Sequence, residues 1–274
     1  MVRDALSKGT IYLLLFLGGV LMLLPFLWML STSLKTPNQV AVLPPVWVPV
    51  PPHWENYAEA LRMAPFGRYF VNSVIVTTLS TLGELLTTVL AAYAFARIRF
   101  WGREVLFSLL LGTMMVPGEV LLVPNYLTLT RLGWIDTYAA LIVPWTASVF
   151  AIFLYRQHLL SVPKELGYAA RVDGAGDFRF LWEILVPITR PALVTIALLK
   201  AIGSWNAFLW PLIVTNSREM RTLPVGLTAF TTEAGTAYEL LMAASAFVIV
   251  PMVVLFLLFQ RHIVEGISRA GIKG

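Results

Sequence analysis

One polar segment interrupts the apolar second half of the chain: SVPKELGYAARVDGAGDFRFLWEILVPITRP, residues 161–191. The apolar stretches on either side are each long enough to cross a bilayer, which takes about 20 helical residues. Helix-forming residues fill most of the segment, and Gly174 lies near its centre. The pattern predicts two short helices joined by a tight turn at the membrane face, a shape suited to docking a partner.

The first of these helices is predicted over residues 164–172. Residues 161–163, Ser-Val-Pro, are expected to start it, because the missing amide of proline is harmless in a first turn. Gly174 is expected to end it, since glycine takes the left-handed conformation without a Cβ penalty. Ala169 and Ala170 would give this helix a low-profile face that a partner's groove can approach closely.

The second helix is predicted to be amphipathic, with Asp177 as its N-cap. Arg179 and Glu183 are spaced for an i, i+4 ion pair on its wet side. The apolar side repeats at i, i+3, i+4 and i+7. It consists of Phe178, Leu181, Trp182 and Leu185.

Composition identifies an integral membrane protein. The chain is 58% hydrophobic and 13% charged, with a mean hydropathy of +0.77, whereas a soluble domain is about 45–50% apolar and about 25% charged. The net charge of +5 is attributed to basic loops on one side of the membrane and not to nucleic-acid binding. The absence of cysteine excludes disulfides and thiolate-bound metals.

Six apolar stretches predict the fold class. Because no period-2 alternation is seen and a bilayer leaves no water for free amides, we expect helices. The prediction is an all-α membrane protein, a single transmembrane domain over residues 1–274, with six transmembrane helices and a cytoplasmic helix-turn-helix loop. The spans are residues 11–30, 71–96, 105–123, 138–155, 191–214 and 240–260.

The distribution of basic residues predicts the orientation. With both termini cytoplasmic, thirteen Lys and Arg residues lie in inner segments and six in outer ones, while Lys200 lies within a span. By the positive-inside rule, the 161–191 loop is then cytoplasmic. Residues 31–70 and 215–239 become outer loops. The first holds a proline-rich stretch at 44–52 that favours an extended spacer or a partner surface.

The polar loop resembles the Glu-Ala-Ala loop of ABC importer permeases, whose triplet is followed after fixed spacings by Gly and by Ile-x-Leu-Pro. Two positions depart from that pattern: Tyr168 replaces the glutamate of the triplet, and Val186 stands where leucine is usual. Glu165, one turn earlier, is a candidate substitute for the missing carboxylate. The matching residues are Glu165, Tyr168-Ala169-Ala170, Asp173-Gly174-Ala175 and Ile184-Leu185-Val186-Pro187.

Further short motifs along nearly the whole chain resemble the carbohydrate-type permeases, in particular the family of the second permease of the maltose transporter. They are Asn56-Tyr57, Asn72-Ser73, Ala92-Tyr93-Ala94-Phe95-Ala96-Arg97, Met115-Val116-Pro117, Ser204-Trp205-Asn206, Trp210-Pro211-Leu212 and Gly271-Ile272-Lys273-Gly274.

This resemblance implies a transport subunit in a bacterial or archaeal cytoplasmic membrane. Its partners would be a second homologous permease, two ATPase subunits that bind ATP and Mg, and an extracytoplasmic solute-binding protein. The chain itself is expected to hold no cofactor or metal and to catalyse nothing, since residues 266–273 lack the Gly-Lys-Ser/Thr of a phosphate-binding loop. The resemblance implies ATPase contacts at Glu165, Tyr168, Ala169, Ala170, Arg171, Asp173 and Gly174.

Polar residues within the spans suggest a substrate path. Glu84 and Lys200 are ionisable groups deep in apolar runs, where such groups are costly. They either pair within the bundle, sealing the interface with the partner permease, or line a path that binds sugar hydroxyls. Further path candidates are Ser204, Trp205 and Asn206. One face of the second predicted span carries Ser73, Thr77, Ser80, Glu84 and Thr87.

Three alternatives stay open at this point. An ion-gradient-driven secondary transporter would need ion sites in broken helices and usually an internal repeat. A membrane scaffold would need neither. Within the ABC importers, glycerol phosphate is an alternative substrate to a sugar, because no residue separates the two.

Overall fold

The computed structural model describes the backbone of residues 2–233 and 235–271, and the side chains of residues 8–233 and 235–258. Helix dominates these residues, as the sequence predicts. Contacts divide the chain into two compact units, each described here by itself. The first comprises residues up to 66 with 226–251, and the second comprises residues 67–225 with those from 252 onward.

In chain order the α-helices are α1 (Val2–Ser33), α2 (Pro37–Val40), α3 (Glu55–Met63), α4 (Phe66–Arg97), α5 (Arg103–Thr113), α6 (Leu122–Arg131), α7 (Tyr138–Ile142), α8 (Val149–Ser161), α9 (Glu165–Val172), α10 (Asp177–Arg179), α11 (Val186–Ile188), α12 (Arg190–Trp205), α13 (Leu209–Val214), α14 (Leu223–Gly226) and α15 (Tyr238–Gly271). Short 3₁₀ turns occupy Gly118–Leu121, Val143–Trp145, Arg218–Met220 and Leu227–Phe230, and a π-helical turn occupies Phe180–Leu185. Strands β1 (Thr231–Thr232) and β2 (Gly235–Thr236) form a small antiparallel hairpin.

Three to six membrane spans are compatible with the described helices. Three helices are long and apolar enough alone, and three bent pairs of helices satisfy the same test together. The single helices are Lys8–Ser33, Phe66–Arg97 and Tyr238–Leu258. The pairs are Arg103–Thr113 with Gly118–Arg131, bent by 90°, Tyr138–Trp145 with Val149–Ser161, bent by 40°, and Asp177–Ile188 with Arg190–Trp205, bent by 78°.

The third, fourth and fifth predicted spans are each interrupted and are not continuous helices. The third ends at Thr113 and resumes as a 3₁₀ turn directly after Pro117, and the fourth has Pro144 within its 3₁₀ turn. The fifth is interrupted after Trp205. Proline lacks the amide that a continuing helix needs and clashes with the preceding turn, so the third and fourth spans break where the sequence carries proline.

The core of the second unit forms around α4, α8, α9 and α12. Ala92, Tyr155, Leu159, Ala170 and Leu185 are among its buried residues. Elsewhere along α4, a Cβ at Gly83 would lie 2.6 Å from Cγ2 of Thr146. A larger residue at that position would force the side chain of Thr146 to shift, so glycine lets the break between α7 and α8 approach α4 closely.

In the first unit, a buried cation fixes the chain after α1. Lys35 is fully buried, with Nζ 3.7 Å from the ring centroid of Trp28 and 3.3 Å from Oγ1 of Thr32. Burial lowers the pKa of Lys35. The amide of Asn56 donates to the carbonyl oxygens of Ser33 and Lys35 at 2.9 and 2.8 Å. The loop over 31–70 is thus partly helical and tethered, although 44–52 holds no regular helix or strand.

Candidate functional site

A cavity of about 580 Å³ lies in the second unit. Its wall is formed by the middle of α4, the 3₁₀ turn before α6 and the start of α6, the break between α7 and α8, the second half of α12 and the start of α13. Its polar and aromatic lining includes Glu84, Glu119, Asn125, Trp145, Lys200 and Ser204.

Glu84 and Lys200 form an ion pair at the wall of this cavity. Nζ of Lys200 lies 2.8 Å from Oε2 of Glu84, and the two side chains are 13% and 8% exposed. Nζ also donates to the carbonyl oxygen of Trp145 at 2.6 Å. An ammonium has three N–H groups, and two of them are directed at these two oxygens. The prediction of a pair within the bundle is confirmed for these two side chains.

Two tryptophans stand beside this pair. The rings of Trp145 and Trp210 meet edge to face with centroids 5.9 Å apart, and Nζ of Lys200 is 6.0 Å from the centroid of Trp145. Nε1 of Trp210 donates to the carbonyl oxygen of Ala140 at 3.0 Å, which fixes that ring. Trp145 is 44% exposed. Aromatic faces and fixed polar groups together suit a solute that carries both C–H surfaces and hydroxyls.

The polar face of α4 contacts other parts of the same unit, as its spacing predicts. Oγ of Ser73 accepts from the amide of Leu223 at 2.8 Å. Oγ of Ser80 lies 3.2 Å from Oγ of Ser204, and Oγ1 of Thr87 donates to the carbonyl oxygen of Thr146 at 2.6 Å. The bonds of Ser80 and Thr87 tie α4 to segments that form the cavity wall, and the bond of Ser73 ties it to the start of α14.

The structure brings three of the five predicted path residues to the cavity and leaves two outside it. Glu84, Lys200 and Ser204 line it. Trp205 is 6% exposed and packs edge-on against Phe70 at 5.9 Å. Asn206 follows the last residue of α12, is exposed, and donates to the carbonyl oxygen of Ile202 at 3.0 Å. The helix ends at Trp205, and the chain lines the cavity again over residues 207–211.

Helix α9, at Glu165–Val172, matches the first helix predicted in the polar loop. Gly174 ends it with φ 77°, and the amide of Ala175 donates to the carbonyl oxygen of Ala170 at 2.8 Å, which is the bond that closes a helix at a left-handed residue. The expectation that Ser161 starts this helix is wrong. Ser161 is the last residue of α8, where its hydroxyl donates to the carbonyl oxygen of His158.

The exposed side of α9 carries most of the predicted ATPase contacts. Tyr168 is 59% exposed and Val172 is 87% exposed. Ala170 is 4% exposed and belongs to the core around α4, so the expectation that both alanines face outward is wrong for this one. Its small side chain instead lets α9 pack closely against α4 within the same unit. The other exposed residues of this stretch are Glu165, Ala169, Arg171, Asp173 and Gly174.

The second half of the polar loop departs from the predicted regular helix. Gly176 is the N-cap and Asp177 is the first helical residue, so Asp177 does not cap the helix. The stretch then runs through the π-helical turn. Leu181 and Leu185 are buried, but Phe178 is 72% exposed, because the extra residue of a π turn breaks the α-helical spacing. The ion pair of Arg179 with Glu183 forms at 2.8 Å.

Reasoning from the sequence missed several cavity residues, among them Glu119, Asn125 and Trp145. Each of these three follows a helix break at Pro117 or Pro144. A polar or aromatic residue just after an intramembrane proline was the available signal, because irregular backbone at membrane depth is tolerated where it lines a cavity or is buried in protein.

Asp136 joins two connections that lie outside the predicted spans, the one between α6 and α7 and the one that follows α13. It has a positive φ of 63°, and Oδ1 accepts from the amides of Asn216 and Ser217 at 2.9 and 3.0 Å. Burial acts to raise the pKa of this carboxyl, but the hydrogen bonds from Ser217 and Asn216 outweigh it and hold the pKa below its ordinary value.

Comparison with known proteins agrees with this architecture. The chain is 39% identical over 206 residues to the arabinooligosaccharides transport system permease protein AraQ of Halalkalibacterium halodurans, covering 75% of this chain and 74% of that protein. It is 33% identical over 264 residues to the sn-glycerol-3-phosphate transport system permease protein UgpE of Yersinia pestis, covering 93% and 94%.

Two solved structures share the fold of this chain. A chain of a bacterial ABC transporter involved in the import of the acidic polysaccharide alginate superimposes with a TM-score of 0.83 at 25% identity, covering 94% of this chain and 97% of that one. A bacterial alginate ABC transporter bound to its alginate pentasaccharide-loaded periplasmic protein gives a TM-score of 0.68 at 16% identity, which shows the fold.

The profile of one family, described as "Binding-protein-dependent transport system inner membrane component", matches residues 85–269. That range includes the polar loop, α12 and the Lys200 side of the cavity. The match extends over more than half of the chain, and the relatives above cover most of it. The chain therefore belongs to the family of binding-protein-dependent ABC transporter permeases of the inner membrane.

Proposed function

We propose that this chain is the membrane-spanning subunit of an ATP-driven importer for an uncharged carbohydrate or related polyol. The observation that carries the proposal is the identity of 33–39% to permeases of an arabinooligosaccharide system and a glycerol phosphate system. Family membership favours a binding-protein-dependent importer over the ion-gradient-driven carrier and the scaffold considered above.

Coupling to ATP is assigned to the outward side of α9. Its exposed residues include a carboxylate, an aromatic ring and an aliphatic side chain, at Glu165, Tyr168 and Val172. Such a mixture suits a groove in a soluble partner, because apolar anchors supply affinity and the carboxylate fixes orientation. The partner ATPases would bind ATP and Mg, and this chain would contribute no catalytic group.

The proposed assembly is a second homologous permease, two ATPase subunits and an extracytoplasmic solute-binding protein. In this proposal the chain crosses the membrane six times, the fifth span begins after the polar loop, and both termini and residues 161–191 lie in the cytoplasm of a bacterial or archaeal cell. The excess of basic residues in the inner segments supports this orientation. It also puts α9 on the side where ATP is available.

The charges of the cavity favour an uncharged solute over glycerol phosphate. Lys200 is the cation that could attract a phosphate, but its charge is neutralised by Glu84, whose Oε2 lies 2.8 Å from Nζ. Glu119 adds a second carboxylate to the wall. An anion entering there would meet uncompensated negative charge in a region of low dielectric, whereas a hydroxyl-bearing solute would meet donors, acceptors and the exposed ring of Trp145.

Uptake into proteoliposomes tests the function. The chain is purified with its co-expressed permease and ATPase partners and supplied with the solute-binding protein, and uptake of neutral arabinooligosaccharides and of glycerol 3-phosphate is measured. We expect sugar uptake that requires internal ATP and persists with protonophores and sodium ionophores. Uptake without ATP that collapses with an ion gradient would refute the importer. Preference for glycerol 3-phosphate would refute the substrate class alone.

A further inference from the structure

We propose that Tyr93 and Arg97, one turn apart near the end of α4, are positioning residues that hold both ends of the segment carrying α9. In this arrangement α9 is displaced together with α4 and does not bend independently of it. The inference rests on the proposed role of α9 as the ATPase contact. It identifies α4 as the element that transmits a displacement of α9 to the cavity.

Arg97 holds the start of the segment. Its Nη2 donates to the carbonyl oxygens of Leu159 and Val162, both at 2.7 Å. These carbonyls belong to the end of α8 and the residue after it, where the regular helical hydrogen bonds end. The carbonyl oxygen of Leu159 also accepts from the amide of Val162 at 3.4 Å. A cation at a helix C-terminus also interacts favourably with the helix dipole. Val162 lies three residues before α9 begins, so Arg97 fixes the point at which the chain enters that helix.

Tyr93 holds the end of the segment. Its hydroxyl donates to Oδ1 of Asp177 at 3.0 Å, and Tyr93 is 5% exposed. Hydrogen bonds to a carboxylate are stronger than neutral ones. Oδ1 of Asp177 also lies 3.6 Å from Nη2 of Arg171, in the last turn of α9. Both groups of that ion pair are more than half exposed, so we assign the anchoring to Tyr93 and not to Arg171.

Apolar packing joins α9 to α4 between these two ends. Ala170 is buried in the same cluster as Ala92, Tyr93 and Ala96. One stretch of α4 therefore contacts the segment before, within and after α9. Packed elements held in this way shift as bodies and do not deform continuously.

The same helix carries Glu84 at the cavity. Nine residues separate Glu84 from Tyr93, a rise of about 14 Å along an α-helix. Motion of α9 would reach the Glu84–Lys200 pair through α4 with no flexible joint between them, because α4 is continuous over Phe66–Arg97.

The test uses Tyr93→Phe and Arg97→Gln in the complete reconstituted complex, and the readout is the number of ATP molecules hydrolysed per solute imported. We expect this ratio to rise roughly fivefold for Tyr93→Phe, the factor that corresponds to the loss of one hydrogen bond, and by at least as much for Arg97→Gln, which loses two. Tyr155→Phe is the matched control. Its hydroxyl also makes one buried hydrogen bond, 2.8 Å to Thr189, from the same core, but it does not touch the ends of the α9 segment.

Two further measurements separate positioning from a general loss of stability. Arg97→Lys keeps a cation that reaches carbonyl oxygens and should bring the ratio back toward the wild-type value. Hydrogen exchange of residues 162–177 should be faster in Tyr93→Phe and Arg97→Gln than in the wild type or in Tyr155→Phe.

Specific outcomes overturn the inference. An unchanged ratio in both variants would refute it, and so would an equal rise in Tyr155→Phe. Faster exchange over 162–177 with an unchanged ratio would show that the contacts hold the segment without serving coupling, which also refutes it. A wild-type complex that imports nothing with ATP would instead remove the proposed function, so the two failures are distinguishable.

Discussion

Two ionisable side chains of the cavity, Glu84 and Lys200, are paired and largely buried, whereas the side chains on the outer side of α9 are exposed. At the cavity, Lys200 is satisfied by Glu84 and by the carbonyl oxygen of Trp145. On α9, Tyr168 and Val172 are mainly exposed. In the proposed assembly the cavity is organised in advance by this chain, whereas the outer side of α9 would be completed by an ATPase subunit. Substitutions at the two places should therefore fail differently.

The largest effect is expected at the cavity, for Lys200→Met. Removing the ammonium leaves Glu84 buried without its counter-charge, and breaking a buried pair in this way costs about 3–5 kcal/mol. We expect a lower temperature of half-unfolding for the purified complex and loss of ATP-driven uptake. Both can be measured on the same preparation.

The double variant Glu84→Gln with Lys200→Met is the control for that change. With both charges removed, the burial cost disappears, so the unfolding temperature should return close to the wild-type value. A double variant as unstable as Lys200→Met would mean that the pair is not the source of the effect and would weaken the description of the cavity as internally organised.

A smaller effect on stability, with a specific effect on function, is expected at the turn after α9. Gly174 has φ 77° and open space around the position of a Cβ. Gly174→Val would therefore be strained by its backbone alone, by about 1–2 kcal/mol. We expect the subunit to assemble in the membrane, with ATP hydrolysis no longer matched by uptake.

Gly176→Val is the matched control for the turn. Gly176 has φ −74° and also has no atom within 4 Å of a Cβ position, so valine adds the same side chain without the strain. Uptake per ATP should be retained in this variant. Equal uncoupling by both substitutions would mean that side-chain bulk, and not the left-handed turn, disturbs the contact.

Local features of the polar loop could be predicted from the sequence. The bounds of α9, the left-handed Gly174 and the pair of Arg179 with Glu183 follow from interactions within about four residues, which spacing and residue type report directly. The pairing of Glu84 with Lys200 was also predictable as one of two alternatives, because a buried charge in a span requires a partner.

The cavity and the anchoring of α9 could not be predicted in the same way. Tyr93 and Asp177 are 84 residues apart. The carbonyl oxygen of Trp145 accepts from Lys200, which is 55 residues away. Such contacts depend on how the bent pairs pack, and the bend angles of 40° to 90° are set by that packing. Prolines at 117 and 144 mark where two of the breaks occur but not which side chains face inward as a result.

The smallest effect is expected at Asp136, which lies outside both regions. Because hydrogen bonds from Asn216 and Ser217 hold its folded-state pKa below the ordinary 3.8, the ionised carboxylate stabilises this connection above about pH 4. That contribution is lost as the pH falls from 3.8 through the folded-state pKa. Protection of the two amides from hydrogen exchange, corrected for intrinsic rates, should decrease over the same interval.

Asp136→Asn isolates the charge, since asparagine also tolerates a positive φ and keeps an oxygen acceptor. The variant should show weaker protection of the Asn216 and Ser217 amides at neutral pH and no further decrease as the pH falls through the acid range. Solvent screens a partly exposed carboxylate, so ATP-driven uptake at neutral pH should stay close to wild type. A loss of uptake as large as that of Lys200→Met would show that the cavity is not the only place in this unit where a single charge decides transport.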